Sequence, residues 1–271
     1  MPELAEVEFY RRIWNAGLGQ RVIGVELHDT KRIFRGVDTS DLQRKLTGAI
    51  LEESFRHGKQ MVFRFSGGWL GIHLGMTGGL RAEPTGLAAG KHDHLVLRLP
   101  ERSLVFADPR LFGRVLFHAG ATEPTWWSGL PPALDSDAFT LDWMTKVLQR
   151  RRNAPIKAVL LMQQFFPGVG NWMADEILWR SRIHPSTTAG SIPAAGVRTL
   201  FIETKAVAEK ALETIAMGAG PGFGDPPTGW LFHVRWAKGG SCPRCKTGLG
   251  RDEIGGRTTA WCPKCQPSLS C

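Results

Sequence analysis

The chain has 271 residues, 42% of them hydrophobic, with 34 Lys and Arg against 25 Asp and Glu and a net charge of +9. That length suits two or three domains with real cores, and the basic balance points to a polyanionic partner, most often nucleic acid. The longest apolar runs are far too short to cross a bilayer, and the acidic N-terminus has neither the basic nor the apolar region of a signal peptide, so an intracellular protein is expected.

Residues 3–18 read as one helix, with Val7, Tyr10, Trp14 and Leu18 on an apolar stripe of period 3.6. Glu3 and Glu6, three apart, share another face near its start, where the helix dipole favours negative charge. Residues 20–118 read mostly as strands: 22–27, 61–65, 94–99 and 103–106 are short, β-branched or aromatic, and bounded by Gly, Pro and charged turns. Several such strands in sequence suggest a β-sandwich or barrel. Residues 119–136 hold three prolines and little periodicity, which reads as a linker. From about 137 to 216 the pattern is helical, with helices expected at 156–166, 172–182 and 195–217. Residues 218–229 are Gly- and Pro-rich and read as a loop.

All five cysteines lie in the last 30 residues. Cys242 and Cys245 form one C-x-x-C knuckle, and Cys262 and Cys265 form another after sixteen intervening residues. This spacing matches a tetrahedral four-cysteine zinc ribbon; two disulfides are the other reading, disfavoured in a reducing compartment. With four thiolate ligands the metal is structural, and Cys271 is left over as a solvated terminal residue. Gly255 and Gly256 before Arg257 read as a hairpin tip that projects a guanidinium, either a phosphate fork or a plain turn arginine. Gly168, Val169, Gly170 and Asn171 open a helix whose exposed amides attract phosphate; Asn171 adds a donor there or caps the helix. Two helices joined through Pro167 and Gly168 resemble a helix-two-turn-helix nucleic-acid clamp.

Pro2 carries a free secondary amine once Met1 is removed. An α-amino group titrates near pH 7.7–8.0, so a neutral fraction exists that can attack a sugar carbon and form an iminium. Taken alone, residues 2–8 favour the plainer reading, an ordinary N-terminus whose Glu3 and Glu6 cap a helix.

Pro2-Glu3-Leu4 with Glu6-Val7-Glu8, Gly58-Lys59, His73-Leu74-Gly75-Met76-Thr77-Gly78, Asp108-Pro109-Arg110 with Phe112-Gly113, Gly168-Val169-Gly170-Asn171 and the terminal cysteine knuckles occur in this order. Together they resemble the formamidopyrimidine-DNA glycosylase and endonuclease VIII family over nearly the whole chain, most closely the formamidopyrimidine branch. The resemblance implies an α+β multidomain fold. Residues 1–120 would be an N-terminal helix plus β-sandwich carrying the catalytic residues, and 121–136 a linker. Residues 137–236 would be a helix-two-turn-helix domain that includes the 217–230 loop, and 237–271 a β-hairpin zinc ribbon holding one Zn2+. It implies a monomeric base-excision-repair glycosylase and abasic-site lyase, cytoplasmic and nucleoid-associated in a bacterium. The substrate would be double-stranded DNA with a flipped, damaged base or an abasic site.

By the same resemblance Pro2 is the nucleophile, Glu3 the proton-transfer carboxylate, Glu6 a second acid and Lys59 a phosphate contact, though in isolation Lys59 reads as a solvated turn lysine. Met76, Arg110 and Phe112 match the residues that fill the hole left by base flipping, against a plain core reading for Met76 and Phe112. The chain departs from the family at Ala5, Leu111, Trp172 and Met173, and above all in the 217–230 segment, which in the formamidopyrimidine branch caps an oxidised purine. Phe223 or Trp230 could stack on a flipped base; ordinary packing is the simpler reading of each. A different lesion range, such as oxidised pyrimidines or bulky adducts, and a non-catalytic damaged-DNA binder are the alternatives.

Overall fold

Glu8 explains how the N-terminal helix, α1 (Leu4–Trp14), holds its polar face: it pairs with Arg11 at 2.7 Å and Arg12 at 2.8 Å, one turn on. Val7 and Trp14 are buried on the opposite side. The expected helix to residue 18 stops at Trp14 and tightens into a 3-10 turn, Asn15–Gly17. Gly17 ends that turn in close packing: a Cβ there would stand 2.8 Å from both Leu99 and Leu104. The structure is a computed structural model and describes residues 1–217 and 222–268. Cys271 and residues 218–221 lie outside them.

The chain divides into two compact units, one of residues 1–2 and 6–130, the other of residues 3–5 and 131–271. In the first, β1 (Gly24–Leu27) is followed by α2 (Thr39–Leu46) and by seven further strands: β2 (Leu51–His57), β3 (Gln60–Phe65), β4 (Gly68–His73), β5 (Gly79–Pro84), β6 (Asp93–Arg98), β7 (Arg102–Ala107) and β8 (Arg114–Ala119). They form two antiparallel four-stranded sheets, ordered β1-β6-β7-β5 and β2-β3-β4-β8. Leu51, Met61, Phe63, Leu95, Leu97, Leu104 and Phe106 belong to one buried cluster of this unit, the core of a β-sandwich. Helix α2 falls inside the stretch expected to be mostly strands. Its start is written locally, since the Asp38 carboxylate accepts the Asp41 amide at 2.9 Å, and Leu42 and Leu46 bury one face. A short helix, α3 (Thr125–Ser128), interrupts the stretch read as a linker.

The second unit holds α4 (Leu141–Arg150), α5 (Ile156–Leu160), α6 (Asn171–Arg180) and α7 (Ala194–Thr214), then a hairpin of β9 (Gly250–Ile254) and β10 (Arg257–Trp261). Helix α5 ends six residues before the expected 166. The Gln163 amide explains the early stop: it donates to the Leu161 and Val169 carbonyls and accepts the Gly168 amide, stapling the turn between α5 and α6. Leu160, Phe166, Trp172, Ile177 and Leu200 lie in the core of this unit, together with Leu4 and Ala5 from the chain start.

Candidate active site

In the second unit the carboxylate of Glu3 sits on the N-terminus of α6. Its Oε2 accepts the amides of Gly170 at 3.0 Å and Met173 at 3.1 Å, and its Oε1 accepts that of Trp172 at 3.0 Å. The Leu4 amide donates to the Gly168 carbonyl at 3.1 Å, which pins the chain start to the same turn. Gly170 is required by this fit, because a Cβ there would lie 2.1 Å from Glu3 Cδ. The arrangement corrects two expectations for the turn. Three of the amides offered to a phosphate are taken by the protein's own carboxylate, which suits the positive end of the helix dipole. The N-cap is Gly170, and Asn171 is the first helical residue. The Asn171 side chain instead donates Nδ2 to the Thr258 carbonyl on β10 at 2.9 Å.

In the first unit Pro2 is half-buried and precedes Glu3 directly; Glu6 is half-buried as well. Lys59 follows Gly58, whose φ of 57° makes the tight turn between β2 and β3. Lys59 is only 8% exposed, so it is not a solvated turn lysine. Burial, together with the positive charges of Lys59 and Arg35, holds the His73 imidazole below its usual range. His73, Arg35, Arg114, Gln60 and Phe112 line a cavity of ≈ 310 Å³ whose cations suit an anion.

Met76 and Phe112 are 45% and 40% exposed, which removes the core reading for both. They stand on two loops, 74–78 and 108–113, that one carboxylate joins. Asp108, fully buried, accepts from Thr77 Oγ1 at 2.9 Å, from the Arg110 amide at 3.2 Å and from the Gly113 amide at 2.7 Å. Gly75, at φ 65°, lets the loops touch: a Cβ there would be 2.4 Å from the Phe112 backbone. Arg110 lies over the Phe112 ring at 4.8 Å, and Arg32 approaches the same ring at 5.5 Å. In the sequence Asp108 stands only as part of the Asp-Pro-Arg motif, and its role as the tie shows only in the fold. The signal lay in the residues after it, since an Asp before a tight turn commonly collects nearby amides.

The hairpin tip is Gly255 and Gly256, both with positive φ (63° and 69°), as a two-residue turn between right-twisted strands demands. Arg257 follows at the tip and is exposed. The four knuckle cysteines are free thiols whose sulfurs all lie within 4.8 Å of one another. The Sγ atoms of Cys242 and Cys265 are 3.9 Å apart and those of Cys245 and Cys262 3.4 Å. Disulfide sulfurs would be about 2.05 Å apart. Sulfurs on a tetrahedron around a metal at about 2.3 Å are about 3.8 Å apart, so the cluster has metal-site geometry. Trp179 Nε1 donates to Cys242 Sγ at 3.3 Å, as a support for a thiolate would. Trp230 is 5% exposed, with Trp172 at 6.3 Å and Arg180 over its ring at 5.6 Å, so it packs. Phe223 is 44% exposed.

Among known proteins, residues 1–115 match the formamidopyrimidine-DNA glycosylase N-terminal domain, and residues 130–220 the formamidopyrimidine-DNA glycosylase H2TH domain. The formamidopyrimidine-DNA glycosylase of Geobacter sulfurreducens is 36% identical, over 98% of this chain and 100% of its own. That of a Roseiflexus species is 34% identical over the same shares. Solved structures of the Lactococcus lactis enzyme are 27% identical and cover 98% of this chain and 100% of theirs. One is bound to DNA containing an oxidised pyrimidine, with a TM-score of 0.88, and one to DNA containing an abasic site, with a TM-score of 0.85. No helix among the described residues is long and apolar enough to cross a membrane. With about a third of its residues shared end to end with such relatives, and both halves matched by that family's domains, the chain belongs to the formamidopyrimidine-DNA glycosylase family.

Proposed function

We propose that Pro2, freed as a secondary amine by removal of Met1, is the nucleophile with which this base-excision-repair glycosylase releases a damaged base and then nicks the strand. The substrate is duplex DNA carrying a damaged base or an abasic site. The nucleotide must leave the stack to be reached. Pro2 N then bonds to C1′ as the bond from C1′ to the base breaks, and the base leaves with a proton. Opening of the sugar gives an iminium, which acidifies the C2′ proton. Loss of that proton expels the 3′ phosphate (β-elimination), and a second elimination expels the 5′ phosphate (δ-elimination). Glu3 moves these protons, with Glu6 as a second acid. Lys59 and Asn171 hold the phosphates beside the lesion and Arg257 grips the backbone, while Met76, Arg110 and Phe112 fill the vacated stack. Zn2+ on Cys242, Cys245, Cys262 and Cys265 is structural, because four thiolates complete its tetrahedron. The bacterial relatives support a cytoplasmic enzyme acting at the nucleoid.

The observation that carries this reading is the seat of Glu3. The residue bonded to the proposed nucleophile is a buried carboxylate, oriented by three backbone amides. A carboxylate placed only to cap a helix would not need to follow a terminal imino acid. The test is borohydride trapping on an abasic duplex. A covalent adduct should form on the processed chain and map to the peptide that begins at Pro2, and an N-acetylated chain should give none. Equal trapping by the acetylated chain would overturn the assignment. Glu3→Gln should slow base release by roughly 10²–10⁴-fold while abasic DNA still binds, as expected when a general acid–base group is lost.

A further inference from the structure

A second buried carboxylate, Asp175 on α6, has no part in the chemistry above, yet three other segments of the second unit converge on it. Its Oδ1 accepts Lys157 Nζ from α5. Its Oδ2 accepts Arg235 Nε at 3.0 Å, Arg235 Nη2, and the backbone amide of Ala260 on β10 at 3.2 Å. The side chains of Asp175 and Lys157 are fully buried and that of Arg235 is 1% exposed. Lys157 Nζ also donates to the Asn171 carbonyl at 3.1 Å, and Asn171 Nδ2 donates to the Thr258 carbonyl on β10. A ring of hydrogen bonds, closed along the β10 backbone from Thr258 to Ala260, therefore runs from Asp175 through Lys157, Asn171, Thr258 and Ala260 back to Asp175. The hairpin tip is seated as well, since a Cβ on Gly255 would be 3.0 Å from Ala158 on α5.

The ring joins the two features of this unit assigned to the DNA backbone. Asn171 is a member, and Arg257 precedes the β10 members Thr258 and Ala260. A buried cluster of two cations and one anion is an expensive way to pack a core, and apolar side chains of like volume stabilise as well or better. What it supplies is directional: a carboxylate with several acceptor positions fixes each donor in angle as well as distance.

We propose that Asp175 is a positioning residue of the DNA-binding surface, setting the distance and orientation between the Asn171 turn and the Arg257 hairpin tip so that both engage one DNA backbone. The proposal rests on the phosphate-binding reading of Asn171 and Arg257. Its test is a double-mutant cycle in the affinity for a duplex containing a tetrahydrofuran abasic analogue, measured over a range of salt. Arg257→Ala should weaken binding about tenfold and reduce the salt slope by about one. Asp175→Asn should do the same, and the double variant should bind no more weakly than Arg257→Ala alone. Lys59→Ala, which removes a contact outside the ring, should multiply with Asp175→Asn.

Asp175→Asn leaves two buried cations with no anion and risks misfolding. The pair Lys157→Met with Asp175→Asn keeps the net buried charge and serves as the second variant, with retained zinc and melting temperature as controls. If the effects of Asp175 and Arg257 multiply in both backgrounds, Asp175 stabilises without positioning and the proposal fails while the phosphate reading stands. If Arg257→Ala changes neither affinity nor slope, the phosphate reading fails and takes the proposal with it.

Discussion

Gly170→Ala isolates the placement of Glu3 from its chemistry. The substitution adds one methyl group to a residue whose backbone, at φ −122° and ψ −158°, is extended and open to alanine, so it introduces little backbone strain. The methyl would stand 2.1 Å from Glu3 Cδ and 2.3 Å from Oε1, where ordinary contact begins at 3.4 Å. The carboxyl carbon must retreat by 3.4 − 2.1 = 1.3 Å. Amide hydrogen bonds that start at 3.0–3.1 Å do not survive such a shift in full. Losing one or two bonds to an ionised group costs about 2–4 kcal/mol of stability. Displacing a reacting group by about 1 Å costs about 10²-fold in rate. Single-turnover release of a damaged base should therefore fall by about 10²-fold. Borohydride trapping on a preformed abasic site should persist, because Pro2 is untouched. Adding Gly170→Ala to Glu3→Gln should cost little further, since both act on the same group. Excision at the wild-type rate by Gly170→Ala would refute the claim that the seat on α6 positions Glu3.

Gly75→Ala combines a positive φ with a 2.4 Å collision against Phe112, so it should part the Met76 loop from the Phe112 loop. The φ penalty alone is about 1–2 kcal/mol, and the preference for lesion-bearing over undamaged duplex should drop; an unchanged ratio would show that the loops act independently. Glu176, buried against the Phe232 amide at 3.2 Å, has its carboxyl pushed up by burial to about 7 from an ordinary 4.5. A raised carboxyl favours the folded state below its unfolded pKa, and that advantage is lost as pH rises from about 4.5 through about 7. The loss is bounded by about 3.4 kcal/mol, 2.5 pH units at about 1.36 kcal/mol each. Glu176→Gln should flatten urea stability between pH 5 and 8, and parallel curves for the two proteins would argue against a titrating Glu176. Stripping the metal from the four cysteines should unfold the hairpin and abolish binding to abasic DNA, because folding of such a ribbon is metal-linked. Binding that survives verified removal would show that the hairpin stands without metal.

The parts of this protein that repeat a local rule were legible in the chain. The paired knuckles stated a four-cysteine cluster, the double glycine before Arg257 stated a hairpin tip, and short β-branched or aromatic runs between turn residues stated β3, β6 and β7. Helix α2 was written as well, in Asp38 and the spacing of Leu42 and Leu46, but eight residues among strands carry a weak periodic signal. The end of α5 was not written locally: its apolar pattern runs on through Phe165 and Phe166, and the stop comes from the Gln163 amide folding back on the turn. The order of motifs placed Pro2, Glu3, Lys59, Met76, Arg110 and Phe112 in one enzyme family before any contact was seen.

What the chain alone determined was therefore the inventory: a proline at position 2 beside a carboxylate, a net positive charge, an ordered series of family motifs and a four-cysteine cluster. The tertiary structure decided what each carboxylate does. Glu3 meets amides 167 to 170 positions away, Asp108 ties Thr77 to its own loop, and Asp175 reaches Lys157, Arg235 and Ala260. Sequence periodicity reports only neighbours within a turn or a strand. A buried charge selects its partners by closing hydrogen bonds across the fold, and that choice appears only once the chain has brought those partners within about 3 Å.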